Sequence, residues 1–395
     1  MGTKVLDFEV TQLPERVSGL DGYARALCLF RHRQIPIAEA RVQVKNGRIT
    51  GAALRETLLA RFGRELCMAW LDTLLENGPE PPPAFQGKIT IAVCTRDRPD
   101  DLRNCLKSLD RLPNDGQEVI VIDNASQLPS TKEIVLEYGR ARYIREDRPG
   151  LNCARNRAVK EARGEVIAFI DDDATADPIW LRGLASGFDS PVTAAVGGLT
   201  MPSELETEAQ ELFEVLGGFG RGFRKRRFNL ETHSPLSGGT AGSGVNMALR
   251  REVLDKIGNF DEALDAGTVT LSGGDTEMFS RILAAGYEIV YEPKALNWHR
   301  HRRSREELRH TFYGYGVGLY AAWTRCLIYG REWGVLKAAY RWFIGIQLPR
   351  LIQALKGRPG GWPWDLAWAE FCGSLRGPWA YFHARRKVRS NPEPS

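Results

Sequence analysis

The segment VIAFIDDD, residues 166–173, places three adjacent aspartates directly after five apolar residues. The apolar run predicts a buried strand, so Asp171, Asp172 and Asp173 should emerge together where that strand ends. Carboxylates this close repel one another unless a cation or hydrogen-bond donors compensate them, and their oxygens suit Mg²⁺ or Mn²⁺ shared with phosphates. A solvated loop, with Asp177 capping the helix that follows, is the alternative interpretation. The neighbouring segments decide between the two.

Strands alternate with helices along residues 88–173, which is typical of a mainly parallel sheet covered by helices on both faces. The predicted strands are residues 89–94, 118–123, 141–145 and 166–170. In open α/β sheets, ligands bind beyond the carboxyl ends of the strands. Thr95, Asp123 and the three aspartates all fall at such ends, so the pattern predicts a nucleotide site.

Two common nucleotide-binding motifs are absent from the sequence. No GxGxxG follows a strand and no GxxxxGK[ST] occurs, which argues against a dinucleotide dehydrogenase and a P-loop enzyme. The segment RPGLNCARN, residues 148–156, could instead offer Arg155 and backbone donors to a diphosphate, while a divalent ion on the aspartates neutralises it. An ordinary loop leading into a helix is the other interpretation of this segment.

Two further segments carry candidate site residues. The glycine-rich stretch SGGTAGSG, residues 237–244, predicts tight turns or a close approach of the backbone to a ligand, in a loop that runs directly into a helix. Asp275 follows two glycines at the start of a predicted helix, where it could stabilise the free helix amides or act as a general base. His299 ends the strand-like stretch ALNWH. A lone histidine is usually structural, and His301 with the nearby arginines could make this segment merely basic.

The composition is that of an ordinary globular chain, with 395 residues of which 43% are hydrophobic and 26% charged. The seven cysteines are scattered and include no Cys-x-x-Cys pair, which disfavours a disulfide framework or a zinc site and favours a reducing cytoplasm. The first residues lack the pattern of a signal peptide, and no stretch reaches the roughly 18 uncharged apolar residues that span a bilayer. The sequence therefore predicts neither secretion nor membrane insertion.

Changes in residue pattern along the chain, marked by stretches rich in glycine and proline, predict four parts. These are a small α+β domain at 1–80, a proline-rich linker at 81–87, the α/β domain at 88–305 and a helical region at 306–395. In the first part, Asn46 and Gly47 separate two alternating stretches and predict a β-hairpin, which a helix over residues 52–76 follows. That part has no cluster of titratable groups.

The helical region is basic and rich in tryptophan. Residues 300–395 hold 17 Lys and Arg against 6 Asp and Glu, together with seven of the ten tryptophans. Such a mixture suits peripheral binding to an anionic membrane surface, while single-stranded nucleic acid and plain helix packing are the alternatives. The apolar residues at helical spacing are Leu336, Tyr340, Phe343 and Ile344. The basic residues beside them are Arg331, Lys337 and Arg341, and Pro349 should end or kink their helix.

From Lys88 to Arg303 the sequence resembles the family 2 glycosyltransferases of the GT-A fold, in their bacterial type. Five ordered motifs carry the resemblance: TRDRP (95–99), VIDNAS (121–126), GLNCARN (150–156), FIDDD (169–173), and GGD (273–275) followed by WH (298–299). Cys94 stands where the family usually has proline, and Gly274 where it usually has glutamate, which weakens inference about the acceptor.

The resemblance implies a UDP-, GDP- or dTDP-sugar donor and a role for each matching residue. Thr95 and Asp97 would lie near the nucleoside, Asp123 would contact the base, Arg155 would lie by the diphosphate, and Asp171 and Asp172 would contact the donor. Asp173 and His299 would bind Mg²⁺ or Mn²⁺. Asp275 would be the catalytic base.

The expected activity is metal-dependent, inverting transfer of a sugar to a glycan or lipid-linked acceptor. We expect a cytoplasmic protein, peripheral on the inner face of the cytoplasmic membrane, and no nucleic-acid partner. A nucleotidyltransferase and a catalytically silent carbohydrate-binding family member are the alternatives. The sequence leaves open the base, the sugar and the acceptor.

Overall fold

The computed structural model describes residues 2–74, 82, 85, 87–357 and 361–390. Most of the predicted linker at 81–87, and the last two residues of the helix predicted over 52–76, lie outside the described residues.

Residues 2–74 form a three-stranded sheet, a separate two-stranded sheet and one long helix. The elements are β1 (Thr3–Glu9), β2 (Arg16–Val17), β3 (Arg25–His32), β4 (Ile35–Gln43), β5 (Ile49–Thr50) and α1 (Gly51–Leu74). β3 lies between β1, to which it is parallel, and β4, to which it is antiparallel. The apolar side of α1 packs on this sheet through Leu54 and Leu58. Arg31 of β3 donates to Asp177 Oδ2 at 2.6 Å and so ties this unit to the rest of the protein.

The turn predicted at Asn46 and Gly47 is present, but the hairpin prediction was wrong about its strands. Both residues have positive φ, 53° and 66°, and Lys45 and Arg48 exchange two backbone hydrogen bonds across them. β4 pairs with β3, whereas β5 pairs with β2 in a separate two-stranded sheet. The turn therefore carries the chain from one sheet to another.

The main sheet has nine strands. They are β6 (Ile89–Thr95), β7 (Glu118–Asn124), β8 (Arg142–Glu146), β9 (Val166–Asp171), β10 (Ala174–Ala176), β11 (Thr193–Pro202), β12 (Arg226–Phe228), β13 (Asn246–Arg250) and β14 (Glu288–His299). Their order is β10-β14-β11-β13-β9-β6-β7-β8, with β12 on β14. β8, β7, β6 and β9 are parallel, which confirms the predicted α/β class. β13 runs antiparallel between β9 and β11, where the sequence pattern indicated only a loop leading into a helix.

Helices cover both faces of the main sheet. They are α2 (Pro99–Leu109), α3 (Ser130–Tyr138), α4 (Leu151–Glu161), α5 (Trp180–Ser186), α6 (Glu208–Gly217), α7 (Arg251–Ile257) and α8 (Gly274–Ala284). One core lies under α2, α3 and α5, and a second under α4, α7 and α8. With both faces buried, the central strands are apolar throughout, which is why they read as continuous hydrophobic runs.

The C-terminal region is helical, as predicted. It contains α9 (Arg305–Tyr329), α10 (Gly334–Trp342), α11 (Leu348–Leu355) and α12 (Trp364–Ser390). Residues 343–347 join α10 to α11 as a π-helical turn, so Pro349 neither ends nor breaks the helix. The wider turn precedes the proline, whose missing amide would otherwise interrupt the hydrogen-bond ladder. In the described part of the chain, none of the helices combines the length and the apolar character that crossing a bilayer needs.

Glycines allow α9 to lie unusually close to its neighbours. A Cβ at Gly316 or Gly373 would collide with the backbone of the facing helix, α12 or α9. On another side of α9, a Cβ at Gly273 would come within 2.5 Å of the carbonyl oxygen of Gly318. Ser272 Oγ also donates to the carbonyl of Gly314 at 2.8 Å. The loop before α8 therefore rests directly on the backbone of α9.

Candidate metal and sugar-transfer site

Strand register brings the predicted site residues to one edge of the main sheet. In β6, Thr95 pairs with Asp123 of β7, and Cys94 pairs with Asp171 of β9. β10 then turns back along β14, and its first residue, Ala174, pairs with His299. The histidine, 126 residues further along the chain than Asp173, thus comes to lie beside it.

Asp171, Asp173 and His299 form a group that fits a divalent cation. One ligand atom from each lies within 4.8 Å of the others. His299 Nε2 is 3.1 Å from Asp173 Oδ1. Two carboxylate oxygens and one imidazole nitrogen suit Mn²⁺ well, and the oxygens also suit Mg²⁺. The site residues proposed from the sequence for metal binding therefore lie together, with Asp171 as a third member.

Asp172, the third aspartate of the run, forms hydrogen bonds with different partners. Asp172 Oδ2 accepts a hydrogen bond from Thr95 Oγ1 at 2.8 Å, and its Oδ1 accepts one from Arg98 Nη1 at 3.0 Å. The same guanidinium reaches Asp173 Oδ2 at 3.1 Å, and Arg302 Nη1 reaches that oxygen at 3.4 Å. Arg98 and Arg302 were not among the predicted site residues, although Arg98 lies inside the TRDRP motif.

The three carboxyl groups differ in pKa because their partners differ. Burial, with the nearby Asp173 charge, raises the pKa of Asp171 to about 7. Burial also raises the pKa of Asp172, against the pull of Arg98. The pKa of Asp173 is lowered, because His299, Arg98 and Arg302 together outweigh its burial. A positive ion between Asp171 and Asp173 would favour the ionised form of both.

A buried relay behind His299 fixes which ring nitrogen faces the aspartates. His299 Nδ1 lies 3.2 Å from His301 Nδ1, and His301 Nε2 lies 2.8 Å from Glu214 Oε2 on α6. Burial lowers the pKa of His301, which favours its neutral form. In neutral His301, Nε2–H donates to the Glu214 carboxylate and Nδ1 accepts from Nδ1–H of His299. In that tautomer the Nε2 of His299, which lies 3.1 Å from Asp173 Oδ1, would have its lone pair available to a cation bound between the two.

Asp275 lies at the same sheet edge, in the first turn of α8. Asn246 of β13 pairs with Ile170 of β9, so the loop before Asn246 ends next to the aspartates. From that loop, the N–H of Gly244 donates to Asp275 Oδ2 at 2.6 Å, while the N–H of Thr276 donates to Oδ1 at 2.6 Å. The hydrogen bond from Thr276 supports the interpretation that Asp275 stabilises the free amides at the start of α8. Each oxygen keeps a lone pair for a further donor, so the role of a base is also open to it.

The glycine-rich loop approaches protein groups closely, whereas the sequence pattern predicted tight turns or a close approach to a ligand. Arg221 Nη2 donates to the carbonyls of Gly239 and Gly242 at 2.8 and 2.9 Å and holds the loop in place. A Cβ at Gly244 would lie 2.6 Å from Arg155 Nη2. No larger residue fits there, because the guanidinium beneath is fixed on its other side.

Arg155 is buried in α4 and committed to protein partners. The residue is only 3% exposed. Its Nη1 donates to Asp265 Oδ2 at 2.8 Å and to Asn152 Oδ1 at 3.2 Å. The guanidinium therefore braces the loops around Asp275, and its proximity to the diphosphate remains a prediction.

Asp97 and Asp123, expected near the nucleoside, link neighbouring strand ends: Asp97 joins the end of β6 to the segment after β7, and Asp123 joins β7 to β8. Asp97, with φ of 52°, accepts from the N–H of Gln127 at 2.8 Å. Asp123 is 2% exposed and accepts from Tyr143 at 2.6 Å and Arg145 at 2.9 Å. Their contacts with a nucleotide also remain predictions.

A groove of about 840 Å³ opens beside the aspartates. Its inner end is formed by Arg98 and Arg302, and its walls by α9 and α12. The other lining residues are Glu306, Glu307, Arg309, His310, Thr311, Tyr313, Asp365, Trp368, Ala369 and Cys372.

Residues 90–258 match the model of Glycosyl transferase family 2. This segment runs from β6 to the end of α7 and includes the three aspartates, but not Asp275 or His299.

Two curated relatives illustrate the extent of the similarity. Glycosyltransferase AglE of Haloferax volcanii is 24% identical over 232 residues, which cover 57% of this chain and 70% of that protein. The pre-mycofactocin glycosyltransferase of Mycobacterium tuberculosis is 26% identical over 254 residues, which cover 63% of this chain. The match covers 51% of the mycobacterial protein, so this chain spans about half of its length.

Among solved structures, the mannosyltransferase PcManGT from Pyrobaculum calidifontis, in complex with GDP-Man and Mn²⁺, is similar over 86% of this chain and 87% of its own. The two are 17% identical in sequence, with a TM-score of 0.46.

Proposed function

We propose that this protein transfers a sugar from a nucleotide-diphosphate donor to an acceptor hydroxyl, with a divalent cation and with inversion. The match of residues 90–258 to the model of Glycosyl transferase family 2, on a mainly parallel α/β sheet, supports the proposal. The observation that carries the proposal is the Asp171, Asp173 and His299 group at the same sheet edge as Asp275. Family similarity alone would support the enzyme class, whereas this group supports the use of a metal.

Asp173 and His299 would hold Mn²⁺ or Mg²⁺ together with Asp171. When bound, the cation would stabilise the negative charge that develops on the departing nucleotide diphosphate. Arg98 and Arg302 add fixed positive charge at the same place, since both already contact Asp173. Thr95 and Asp172 hold each other by a hydrogen bond and would orient the donor beside the cation.

Asp275 would take the proton of the acceptor hydroxyl as its oxygen attacks the anomeric carbon. The hydrogen bonds from Gly244 and Thr276 fix the orientation of the carboxylate before the acceptor arrives. A single displacement of this kind needs one base and no protein nucleophile, so it would invert the configuration at the anomeric carbon.

A donor panel tests this function. We expect purified protein with Mn²⁺ or Mg²⁺ to release a nucleoside diphosphate from at least one of UDP-, GDP- and dTDP-sugars, and to stop when a chelator is added. Release should be followed by separating nucleotides and sugars chromatographically. Formation of pyrophosphate would instead indicate a nucleotidyltransferase. Binding without any release or transfer would indicate a catalytically silent member.

We further propose that α10 and α11 attach the protein peripherally to the inner face of the cytoplasmic membrane. Leu336, Tyr340 and Ile344 are 59%, 66% and 43% exposed, whereas Phe343 is half-buried beside Phe371 of α12. Three of the four apolar residues that recur along this segment therefore face outward. The exposed basic residues beside them are Arg331, Lys337 and Arg341. An apolar stripe flanked by cations suits an anionic lipid interface.

Vesicle flotation tests the attachment. We expect binding to anionic vesicles that weakens at high salt, and a further loss of roughly tenfold in affinity for Leu336→Glu, which removes apolar contact and repels the headgroups. Leu136→Glu is a matched control, because Leu136 on α3 is 66% exposed and lies outside the C-terminal region. Equal binding by Leu336→Glu and Leu136→Glu would contradict the proposal, as would failure of the wild type to float.

A further inference from the structure

The groove between α9 and α12 begins at the metal-binding group. Arg98 and Arg302 form its inner end, and both guanidiniums contact Asp173 on their other side. A molecule that fills the groove would therefore end next to the place where a donor sugar is expected. The volume of about 840 Å³ is sufficient for a bound molecule of several rings.

Charges of both signs line the groove. Arg309 and His310 lie near Glu306 on the same turn of α9, and none of the three is held by an ion pair with another described residue. By contrast, Glu307 accepts from Ser304, and Asp365 is paired with Arg305. The groove thus offers free donors and free acceptors side by side.

This mixture discriminates between classes of acceptor. The lining holds three arginines, Arg98, Arg302 and Arg309, and three carboxylates, those of Glu306, Glu307 and Asp365, so it has no excess positive charge to attract a phosphate. Sugar hydroxyl groups both donate and accept, so they can pair with the carboxylates and with the cations. The apolar C–H face of a sugar ring can also lie on Trp368, which lines the groove and is 46% exposed.

We propose that this groove binds the acceptor, and that the acceptor end held there is a neutral saccharide. The inference rests on the proposed glycosyl transfer, since it assigns the acceptor of that reaction. Such a saccharide can be free or carried by a lipid, and the groove recognises the hydroxyl-rich part in either case. Trp368 and Arg309 are the two residues on which its affinity should depend most.

Saturation-transfer NMR with methyl glycosides of glucose, galactose, mannose and N-acetylglucosamine tests the assignment, in the presence of nucleoside diphosphate and Mn²⁺. We expect at least one glycoside to bind, and Trp368→Ala and Arg309→Ala each to weaken its affinity by at least about tenfold, as buried aromatic and arginine contacts commonly do. Trp379→Ala is the matched control, because Trp379 is 49% exposed on the same helix and does not line the groove. The affinity of the Trp379→Ala variant for the glycoside should equal that of the wild type.

A parallel transfer assay distinguishes a free saccharide acceptor from a lipid-carried one. It also distinguishes failure of the acceptor assignment from failure of the proposed glycosyl transfer. The methyl glycosides, alkyl glycosides of the same sugars and, separately, a polyprenyl phosphate are each incubated with the nucleotide-sugar donor that the protein turns over. Labelling of the glycosides, free or alkylated, supports the proposal. Labelling of the polyprenyl phosphate alone, or glycoside binding unaffected by Trp368→Ala, would overturn it, as would a lack of binding by every glycoside. Failure of the proposed function itself would appear separately, as absence of metal-dependent donor turnover.

Discussion

Asp275→Asn should reduce turnover by roughly 10²- to 10⁴-fold while donor binding is preserved, because the amide cannot take the proton of the acceptor hydroxyl. Asparagine keeps one oxygen for the N–H of Gly244 or Thr276 and turns its NH₂ toward the other, so one of the two hydrogen bonds is lost. Thermal unfolding must therefore show that the variant remains folded. The helix-stabilising interpretation predicts a different result. In that case stability should fall by about 1 kcal/mol or less, with turnover largely intact.

Steady-state transfer rates, donor affinity and thermal unfolding of the Asn variant decide between the two roles. Glu252→Gln serves as control, since Glu252 is an exposed acidic residue in the first turn of α7. It should change neither turnover nor donor binding. A folded Asp275→Asn enzyme with nearly wild-type turnover would remove Asp275 from the reaction.

Asp173→Ala and His299→Ala should each weaken metal-dependent donor binding by at least roughly 10- to 100-fold, since loss of an outer hydrogen-bond partner alone can cost that much in metal affinity. Titration calorimetry with Mn²⁺, and then with nucleoside diphosphate, measures both steps. Glu214→Gln keeps every ligand atom but weakens the relay through His301, so its effect should be smaller than that of either ligand variant.

Asp115→Ala is the control for losing a partly buried aspartate ion pair, because Asp115 pairs with Arg182 at 2.7 Å before β7, away from the aspartate group. It should leave metal binding unchanged. Donor binding by the wild type that persists in full with chelator would refute a role for the metal, whatever the variants do.

The parallel half of the sheet could be predicted because its strands are continuous apolar runs with polar residues at one end. The same pattern predicted that Thr95 and the aspartates lie together, since the carboxyl ends of parallel strands meet at one edge of the sheet. β13 escaped prediction because a five-residue strand followed at once by α7 resembles a helix start. Periodicity cannot separate the two at that length.

The supporting residues of the site could not be predicted from the sequence because they come from segments far apart along the chain. Glu214 lies 87 residues before His301 and is an ordinary surface-helix glutamate by pattern. Only the tertiary structure places it behind the histidine pair. Arg302 was one of several arginines in a basic run, most of which serve ion pairs such as that of Arg303 with Glu204.

The backbone contact between Gly273 and Gly318 has a consequence for any attempt to exchange parts of this enzyme. The family match ends at residue 258, yet the loop that carries Asp275 rests on α9, and α9 is held in turn by the glycines of α12. A chimera joined near residue 305 would supply that loop with a foreign helix, whose side chains would occupy the space now left by glycine. Changes to α9 and α12 should therefore be made by point substitution, because the two helices are not a detachable module.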